Sequence, residues 1–183
     1  MLSLFPLFAT VICLRFLSGK NKIPMAELKK GVEGLGFSEV RTFLNSGNVI
    51  FSSGSDQGTA FSEQIGAMIK ARFDLEIPVL VVQQESLADL LRSAPSWWGS
   101  EDKEVYDNLI FVLPPAAADD VFRELGEPKE GLEEAMRCGD AIFWSFSRKS
   151  YQKTNWWSKT ASAGIGKKLT IRTANTVQKL VGM

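Results

Sequence analysis

Three short segments of this sequence combine cationic side chains with small polar residues suited to holding an anion. They are Lys20-Asn21-Lys22, Arg41 together with Ser46-Gly47-Asn48, and Arg172 together with Asn175 and Thr176. Ammonium and guanidinium groups form strong charged hydrogen bonds to phosphate oxygens, and amides and hydroxyls add direction. The sequence therefore predicts a site for a small phosphate-bearing ligand or a nucleic acid, with these binding residues: Lys20, Asn21, Lys22, Arg41, Ser46, Asn48, Arg172, Asn175 and Thr176.

Each segment also has a structural explanation that needs no ligand. Lys20-Asn21-Lys22 precedes a predicted helix, where free N–H groups favour anions, but its spacing is not that of a P-loop and it also suits a solvated cap. Ser46-Gly47-Asn48 suits a turn, because glycine adopts positive φ at no steric cost. A hydroxyl or amide between residues 170 and 176 could cap the last helix. The sequence leaves these alternatives open.

The charges are separated along the chain, although the formal net charge is zero. Residues 101–140 carry twelve acids and four bases, whereas residues 141–183 carry eight bases and no acid. Such blocks create local potentials that the net charge conceals. The basic tail either pairs with the acidic segment or presents a basic face to an anionic ligand.

Aromatic residues are interleaved with the cations of this tail. They are Trp144, Tyr151, Trp156 and Trp157. Because rings stack on bases and cations neutralise phosphates, this composition is compatible with binding of single-stranded nucleic acid or a nucleotide. The favoured alternative is burial of the tryptophans, since tryptophan is highly buried on average.

The sequence contains no motif for metal, cofactor or nucleophilic chemistry. The absence of histidine excludes histidine-ligated zinc, Ser-His-Asp hydrolysis and imidazole acid–base catalysis. Glu133 and Glu134 lie on a predicted strand, where neighbouring side chains point to opposite faces, so they cannot form a carboxylate pair. We therefore expect no metal and no cofactor.

Two other functional classes remain open. One is an enzyme acting on a small anionic substrate, with lysine or arginine binding the substrate and Glu27 as general base. The other is a protein-interaction module anchored by exposed tryptophans, above all the Trp97-Trp98 loop, with a homo-oligomer as one form of it. The sequence does not decide whether the protein is an enzyme.

The cysteines and the N-terminal run bear on location. Cys13 and Cys138 are distant in sequence and are expected to be reduced, which favours a cytoplasmic protein. The apolar run Leu2–Leu14 is too short for a membrane-spanning helix and no basic segment precedes it. We therefore expect no membrane association and interpret residues 7–14 as a buried first strand. A signal peptide is the alternative.

The apolar pattern predicts the order β-α-β-β-α-β twice. The first half has a strand at 7–14, a helix from Pro24, a hairpin about residues 45–48, a helix over 61–69 and a strand at 79–82. After a helix at 87–91, the second half has strands at 109–113, 132–137, 141–146 and 169–172, and helices at 121–125 and within 150–163. This predicts an α+β protein of two tandem ferredoxin-like (βαββαβ) units with antiparallel sheets, at residues 1–84 and 85–183, the second ending in a C-terminal helix.

Several runs form a recognisable set: residues 19–28 (GKNKIPMAEL), Leu35-Gly36-Phe37, Val40-Arg41-Thr42 and Ser46-Gly47-Asn48-Val49, with Thr170, Arg172, Asn175, Thr176 and Leu180 in the tail. Together they resemble the domain-of-unknown-function 1697 proteins. The resemblance implies a bacterial, cytosolic protein with tandem ferredoxin-like domains and no established activity. The sequence departs from the family at Arg15-Phe16-Leu17-Ser18, where Leu-Arg-Gly-Ile-Asn-Val is usual, and at Thr173-Ala174, where Asn and Trp are common.

Overall fold

The computed structural model describes residues 8–14, 23–44, 47–55, 57–162 and 164–183. The chain divides into two units, and the division falls between Ala88 and Asp89. Each unit has a four-stranded sheet in which every pair of neighbouring strands is antiparallel. The predicted α+β class with antiparallel sheets is confirmed. The ferredoxin-like assignment and the boundaries at 1–84 and 85–183 stay predictions.

Unit 1 has strands and helices in the predicted order. Its elements are β1 (Phe8–Leu14), α1 (Met25–Gly34), β2 (Ser38–Phe43), β3 (Asn48–Ser53), α2 (Gly58–Phe73), β4 (Val79–Gln83) and then α3 (Gln84–Arg92), within which the division between the units lies. The strand order in the sheet is β2-β3-β1-β4. Pro24 is not the first helical residue as predicted, because its ψ of 126° is extended, and α1 begins at Met25.

The core of unit 1 lies between one face of the sheet and the two helices α1 and α2. Apolar side chains at helical spacing meet the alternate side chains of the strands. The buried members are Ile23, Leu28, Val32, Val40, Val49, Phe51, Phe61, Ile65, Ile69 and Ile77. The helices approach closely at Gly31, where an added Cβ would lie 2.5 Å from the sulfur of Met68. This explains a glycine inside a helix, where it otherwise costs about 1 kcal/mol.

Unit 2 repeats the strand pattern with shorter helices. Its elements are β5 (Val105–Val112), α4 (Ala118–Leu125), β6 (Glu133–Cys138), β7 (Ala141–Ser147), α5 (Trp156–Thr160), β8 (Leu169–Thr173) and α6 (Ala174–Val181). The strand order is β6-β7-β5-β8. Where a helix within 150–163 was predicted, the described residues form a 3₁₀ turn at Tyr151–Lys153 and then α5, and a second 3₁₀ turn follows at Ile165–Lys168.

β5 begins four residues before its predicted start at Leu109. Asp107 and Asn108 interrupt the apolar run that the prediction relied on, yet both are buried. They pair with Ser145 and Trp144 of β7 in the register of the sheet. The longer strand therefore results from pairing with a distant segment, which the local pattern does not record.

A buried carboxylate links three segments of unit 2. Glu133 is 5 % exposed. Its Oε2 accepts a hydrogen bond from the indole N–H of Trp144 at 3.0 Å. Its Oε1 accepts from the backbone N–H groups of Lys129 at 3.0 Å and Asn155 at 2.6 Å. Glu134 is exposed, which confirms that the two glutamates point to opposite faces.

Two observations bear on the expected location. Among the described residues, no helix combines the length and apolar character that crossing a bilayer requires. Cys138 is half-buried and forms no disulfide, whereas the side chain of Cys13 is outside what the structure describes.

Candidate functional site

A cleft opens where β5 extends past the end of β8. β7 pairs with β5 from Val105 onwards, but β8 pairs with it only from Asn108, opposite Thr173. The chain turns into α6 at Ala174, so the first three residues of β5 face a cleft of about 330 Å³, here called the β5 cleft. Its charged side chains have both signs: Glu101, Asp102, Lys103, Asp107 and Arg148.

Arg148 is held in this cleft by Tyr106. β7 ends at Ser147, and the backbone N–H of Arg148 continues the ladder by donating to the carbonyl of Glu104 at 2.8 Å. The guanidinium carbon lies 4.1 Å from the centre of the Tyr106 ring. A guanidinium over a ring face is attracted by the negative face of the π-system. The Arg148 residue is nevertheless exposed to solvent.

The cations of the cleft have no acidic partner within the described part of the chain. Neither Lys103 nor Arg148 forms a salt bridge there. By contrast, Lys149, next to Arg148 in sequence, pairs with Glu104 at 2.7 Å. Two positive charges are therefore available to a ligand in the β5 cleft.

Asp107 is a nearly buried carboxylate in the same cleft, 8 % exposed. Its Oδ1 accepts a short hydrogen bond from the hydroxyl of Ser145, its register partner on β7. Its Oδ2 accepts from the hydroxyl of Ser100 at 3.3 Å. An ionised carboxylate has about four acceptor positions, so these two donors leave capacity for more. The described residues contain no group of three or more potential metal ligands.

The first turn of α6 closes one side of the cleft. The hydroxyl of Thr173 accepts from the backbone N–H of Thr176 at 3.4 Å, and the two hydroxyl oxygens are 3.0 Å apart. This confirms the capping interpretation of the segment. Ala174 and Asn175, the first two residues of the helix, line the cleft. The positive end of the helix dipole thus lies beside Lys103 and Arg148.

The three predicted binding residues of the tail have different environments. Asn175 is exposed and lines the cleft. Thr176 is buried and takes part in the cap. Arg172 is 8 % exposed, and its guanidinium donates to the hydroxyl of Thr170 at 2.9 Å and the carbonyl of Ile171 at 2.8 Å. Of the three, only Asn175 is among the residues that line this cleft.

The predicted residues of unit 1 lie at the hairpin of β2 and β3. Arg41 is exposed and opposite Ile50. Asn48 is fully buried, and its amide donates to the carbonyl of Phe43 at 3.1 Å, which closes the turn where Gly47 has a φ of +75°. Asn48 also pairs with Cys13, the next-to-last residue of β1, so β1 ends close to this hairpin. Lys20, Asn21, Lys22 and Ser46 lie outside the described residues.

Two of the four tail aromatics are buried, and two of the tail cations pair with acids of the acidic segment. Trp144 and Trp156 are 1 % and 0 % exposed, which confirms the favoured interpretation of burial for these two rings and leaves neither able to stack on a base. Trp157 is 42 % exposed, and its ring centre lies 4.7 Å from that of Tyr151. Lys149 pairs with Glu104 at 2.7 Å and Lys168 with Glu124 at 2.6 Å, which joins the basic tail to the acidic segment.

Trp98, proposed as an interaction anchor, and Glu27, proposed as a general base, both have structural roles. Trp98 is not an exposed anchor: it is 7 % exposed, its indole N–H donates to the carbonyl of Asn108 at 2.7 Å, and its ring meets that of Phe143 edge-on. Glu27 accepts from Lys30 at 2.9 Å and Arg72 at 2.6 Å. These hydrogen bonds hold the pKa of Glu27 below its ordinary value, which makes it a weaker base.

Three other cavities are less suited to an anion. One of about 240 Å³ in unit 1 is lined by uncharged residues including Thr10, Phe61 and Gln83. One of about 370 Å³ in unit 2 has Glu133 and Glu134 as its charged side chains. In one of about 390 Å³ in unit 1, Lys70 is paired with Glu76. The β5 cleft differs from them because its cations are unpaired.

Lys103, Tyr106, Asp107 and Arg148 are site residues that the sequence did not predict. Arg148 was one of eight cations in the tail, and Lys103 was one of four bases in an acidic segment. Only the pairing of β5 with β7 brings Arg148 beside Tyr106. No local motif in the sequence indicated these residues.

Comparisons with known proteins support the fold and the family. A family model described as protein of unknown function (DUF1697) matches residues 14–144. The solved structure of the conserved bacterial protein SP0830 from Streptococcus pneumoniae is similar, with a TM-score of 0.84 and 24% sequence identity over 97% of this chain and 98% of that one. At this identity the likeness shows the fold alone. The search of curated proteins gave no match.

Proposed function

We propose that unit 2 of this chain is a binding module for a small phosphate-bearing ligand. The chain belongs to the DUF1697 family of proteins of unknown function. The observation that carries the proposal is the pair of unpaired cations in the β5 cleft, Lys103 and Arg148, beside Asn175 at the start of α6. This site retains one of the predicted residues and adds two. The family membership predicted from sequence motifs is confirmed, and no activity is established for the family.

The mixed charge of the cleft fits a phosphate that carries hydrogen-bond donors elsewhere in the molecule. Lys103, Arg148 and the positive end of α6 offer donors to phosphate oxygens. Asp107 and Glu101 are acceptors and would repel a bare anion placed next to them. A ligand with an anionic end and a hydroxyl or amino end satisfies both sets. The Oδ1 of Asp102 already accepts from the backbone N–H of Glu104 at 2.8 Å.

The size of the cleft and the burial of the aromatics favour a small ligand over a nucleic acid. A volume of about 330 Å³ lies at the low end of the range for small-molecule sites. Single-strand binding sites expose rings on which successive bases stack, whereas Trp144 and Trp156 lie in the core of unit 2. The predictions for Lys20, Asn21, Lys22, Arg41, Ser46, Asn48, Arg172 and Thr176 stay open beside this proposal.

We also propose that both units have the ferredoxin-like fold, with a boundary near residue 84. The strand orders β2-β3-β1-β4 and β6-β7-β5-β8 support this, because in each sheet the first and third strands of the unit are central.

The test is urea unfolding of the protein with and without pyrophosphate. The five tryptophans lie at positions 97, 98, 144, 156 and 157, all in unit 2, so tryptophan fluorescence follows the unfolding of this unit. We expect pyrophosphate to raise the urea midpoint, by an amount that falls as salt is added. Lys103→Ala and Arg148→Ala should each reduce the rise.

Lys167→Ala is the matched control, because Lys167 is an exposed lysine of the same unit outside the cleft. It should keep the full effect of pyrophosphate. Absence of any rise at low ionic strength, or an equal loss in Lys167→Ala, would show that the cleft is not a phosphate site.

A further inference from the structure

Asp107 is the feature of the β5 cleft that phosphate binding does not explain. Its carboxylate is nearly buried and its described partners are two neutral hydroxyls, those of Ser100 and Ser145. Burying an ionised carboxylate is costly unless it is fully hydrogen-bonded. A carboxylate with unused acceptor positions at the edge of a cleft is suited to donors on a ligand, and a sugar diol supplies two such donors.

Arg148 supplies the second feature that phosphate binding leaves unused. Its guanidinium carbon already lies over the Tyr106 ring, 4.1 Å from the ring centre, and this contact holds the group at the cleft. The Tyr106 ring in turn contacts Phe146, with ring centres 5.5 Å apart, so the platform is anchored in the core. A planar guanidinium stacks on flat heterocycles, as nucleobases show in complexes with arginine.

We propose that the phosphate-bearing ligand of the β5 cleft is a nucleotide. This inference rests on the proposed function and names the ligand class for the same site. The base stacks on the guanidinium plane of Arg148, whose positive charge also attracts the phosphates. The ribose hydroxyls donate to Asp107, and the phosphates meet Lys103, Asn175 and the first turn of α6. Each part of the ligand thereby has its own partner among residues that line one cleft.

Calorimetric titrations with three related probes test the proposal. ADP and pyrophosphate carry the same number of phosphorus atoms, and 2′,3′-dideoxy-ADP lacks only the ribose hydroxyls. We expect ADP to bind about tenfold more tightly than pyrophosphate, because a stacked base adds binding free energy. Dideoxy-ADP should bind about tenfold more weakly than ADP, because hydrogen bonds to a charged group are lost.

Two variants separate the base and ribose contacts from the phosphate contact. Asp107→Asn should weaken ADP binding about tenfold without weakening pyrophosphate binding, because it removes a negative charge that only the ribose uses. Arg148→Lys keeps the charge but loses the plane, so ADP binding should fall at least about fivefold and pyrophosphate binding should stay within about twofold.

The outcomes distinguish this inference from the proposed function. If pyrophosphate binds and ADP binds no more tightly, the ligand is not a nucleotide and the phosphate site stands. If ADP and dideoxy-ADP bind equally to the unaltered protein, the ribose contact with Asp107 is wrong, whether or not Asp107→Asn folds. If neither ADP nor pyrophosphate binds, both proposals fail.

Discussion

The guanidinium of Arg148 lies 4.1 Å from the centre of the Tyr106 ring, at the point where β5 extends past β8. The two residues are brought together by the pairing of β5 with β7, in which Tyr106 is opposite Phe146. This contact orients the cation that the proposed site depends on. Its strength is therefore the first quantity to measure.

A double-mutant cycle of Tyr106→Leu and Arg148→Ala should show coupling of about 0.5–1 kcal/mol, as is usual for exposed cation–π pairs. The cycle cancels the separate loss of the contact between Tyr106 and Phe146, provided that each change acts independently there. The free energy of unfolding of unit 2 is measured by urea denaturation with tryptophan fluorescence. Additive effects of the two changes would mean that the contact contributes nothing.

Glu133→Gln should destabilise unit 2 by roughly 2 kcal/mol, because an amide cannot accept from all three N–H donors that now meet the carboxylate. In the variant, the indole N–H of Trp144 would either meet the NH2 group of the glutamine, which is itself a donor, or have no acceptor. The measurement is the urea midpoint. Glu134→Gln is the matched control, since Glu134 is the exposed neighbour on the same strand and should change stability little. Equal effects of the two substitutions would contradict the role given to Glu133.

Trp98→Phe should lower the stability of unit 2 by about 1–3 kcal/mol, because the carbonyl of Asn108 loses a buried donor at 2.7 Å. Trp157→Phe, at a residue that is 42 % exposed, should cost less. Light scattering of both variants should match that of the unaltered protein. A change in molecular mass in Trp98→Phe without a loss of stability would instead restore the interaction-module hypothesis.

The ion pairs of Glu27 predict a dependence of stability on pH in the acidic range. Lys30 and then Arg72 hold the pKa of Glu27 below its ordinary value of 4.5. Because the folded pKa is the lower one, the stabilisation is fully present above the ordinary value and is lost as the pH falls through the folded pKa. Lys30→Gln should raise the pKa of Glu27 in an NMR titration of its carboxyl carbon.

Lys29→Gln is the control for this titration. It removes the same charge from the neighbouring position of α1, where Lys29 lies 3.7 Å from Glu33. It should leave the pKa of Glu27 nearly unchanged. A rise as large as that in Lys30→Gln would point to the general charge of the helix rather than to the specific hydrogen bond.

Much of the local structure was predicted from the sequence, because its signals lie within a few residues of each other. The hairpin glycines Gly47 and Gly139 have positive φ, and Thr173 caps the last helix. The failure at Trp98 has a different origin. Trp98 is buried, although its sequence neighbourhood suggested an exposed anchor. Burial depends on segments that are distant in the chain, and no neighbouring residue records it.

The sequence by itself determined the family, the α+β class and the order of the elements, since motifs, turn residues and apolar spacing are written along the chain. Only the tertiary structure decided the β5 cleft. Asp107 meets Ser145 across 38 residues, and Tyr106 meets Arg148 through the same strand pairing. The register of two strands is set by the packing of the whole sheet, so the groups that line the cleft become neighbours only when the unit folds.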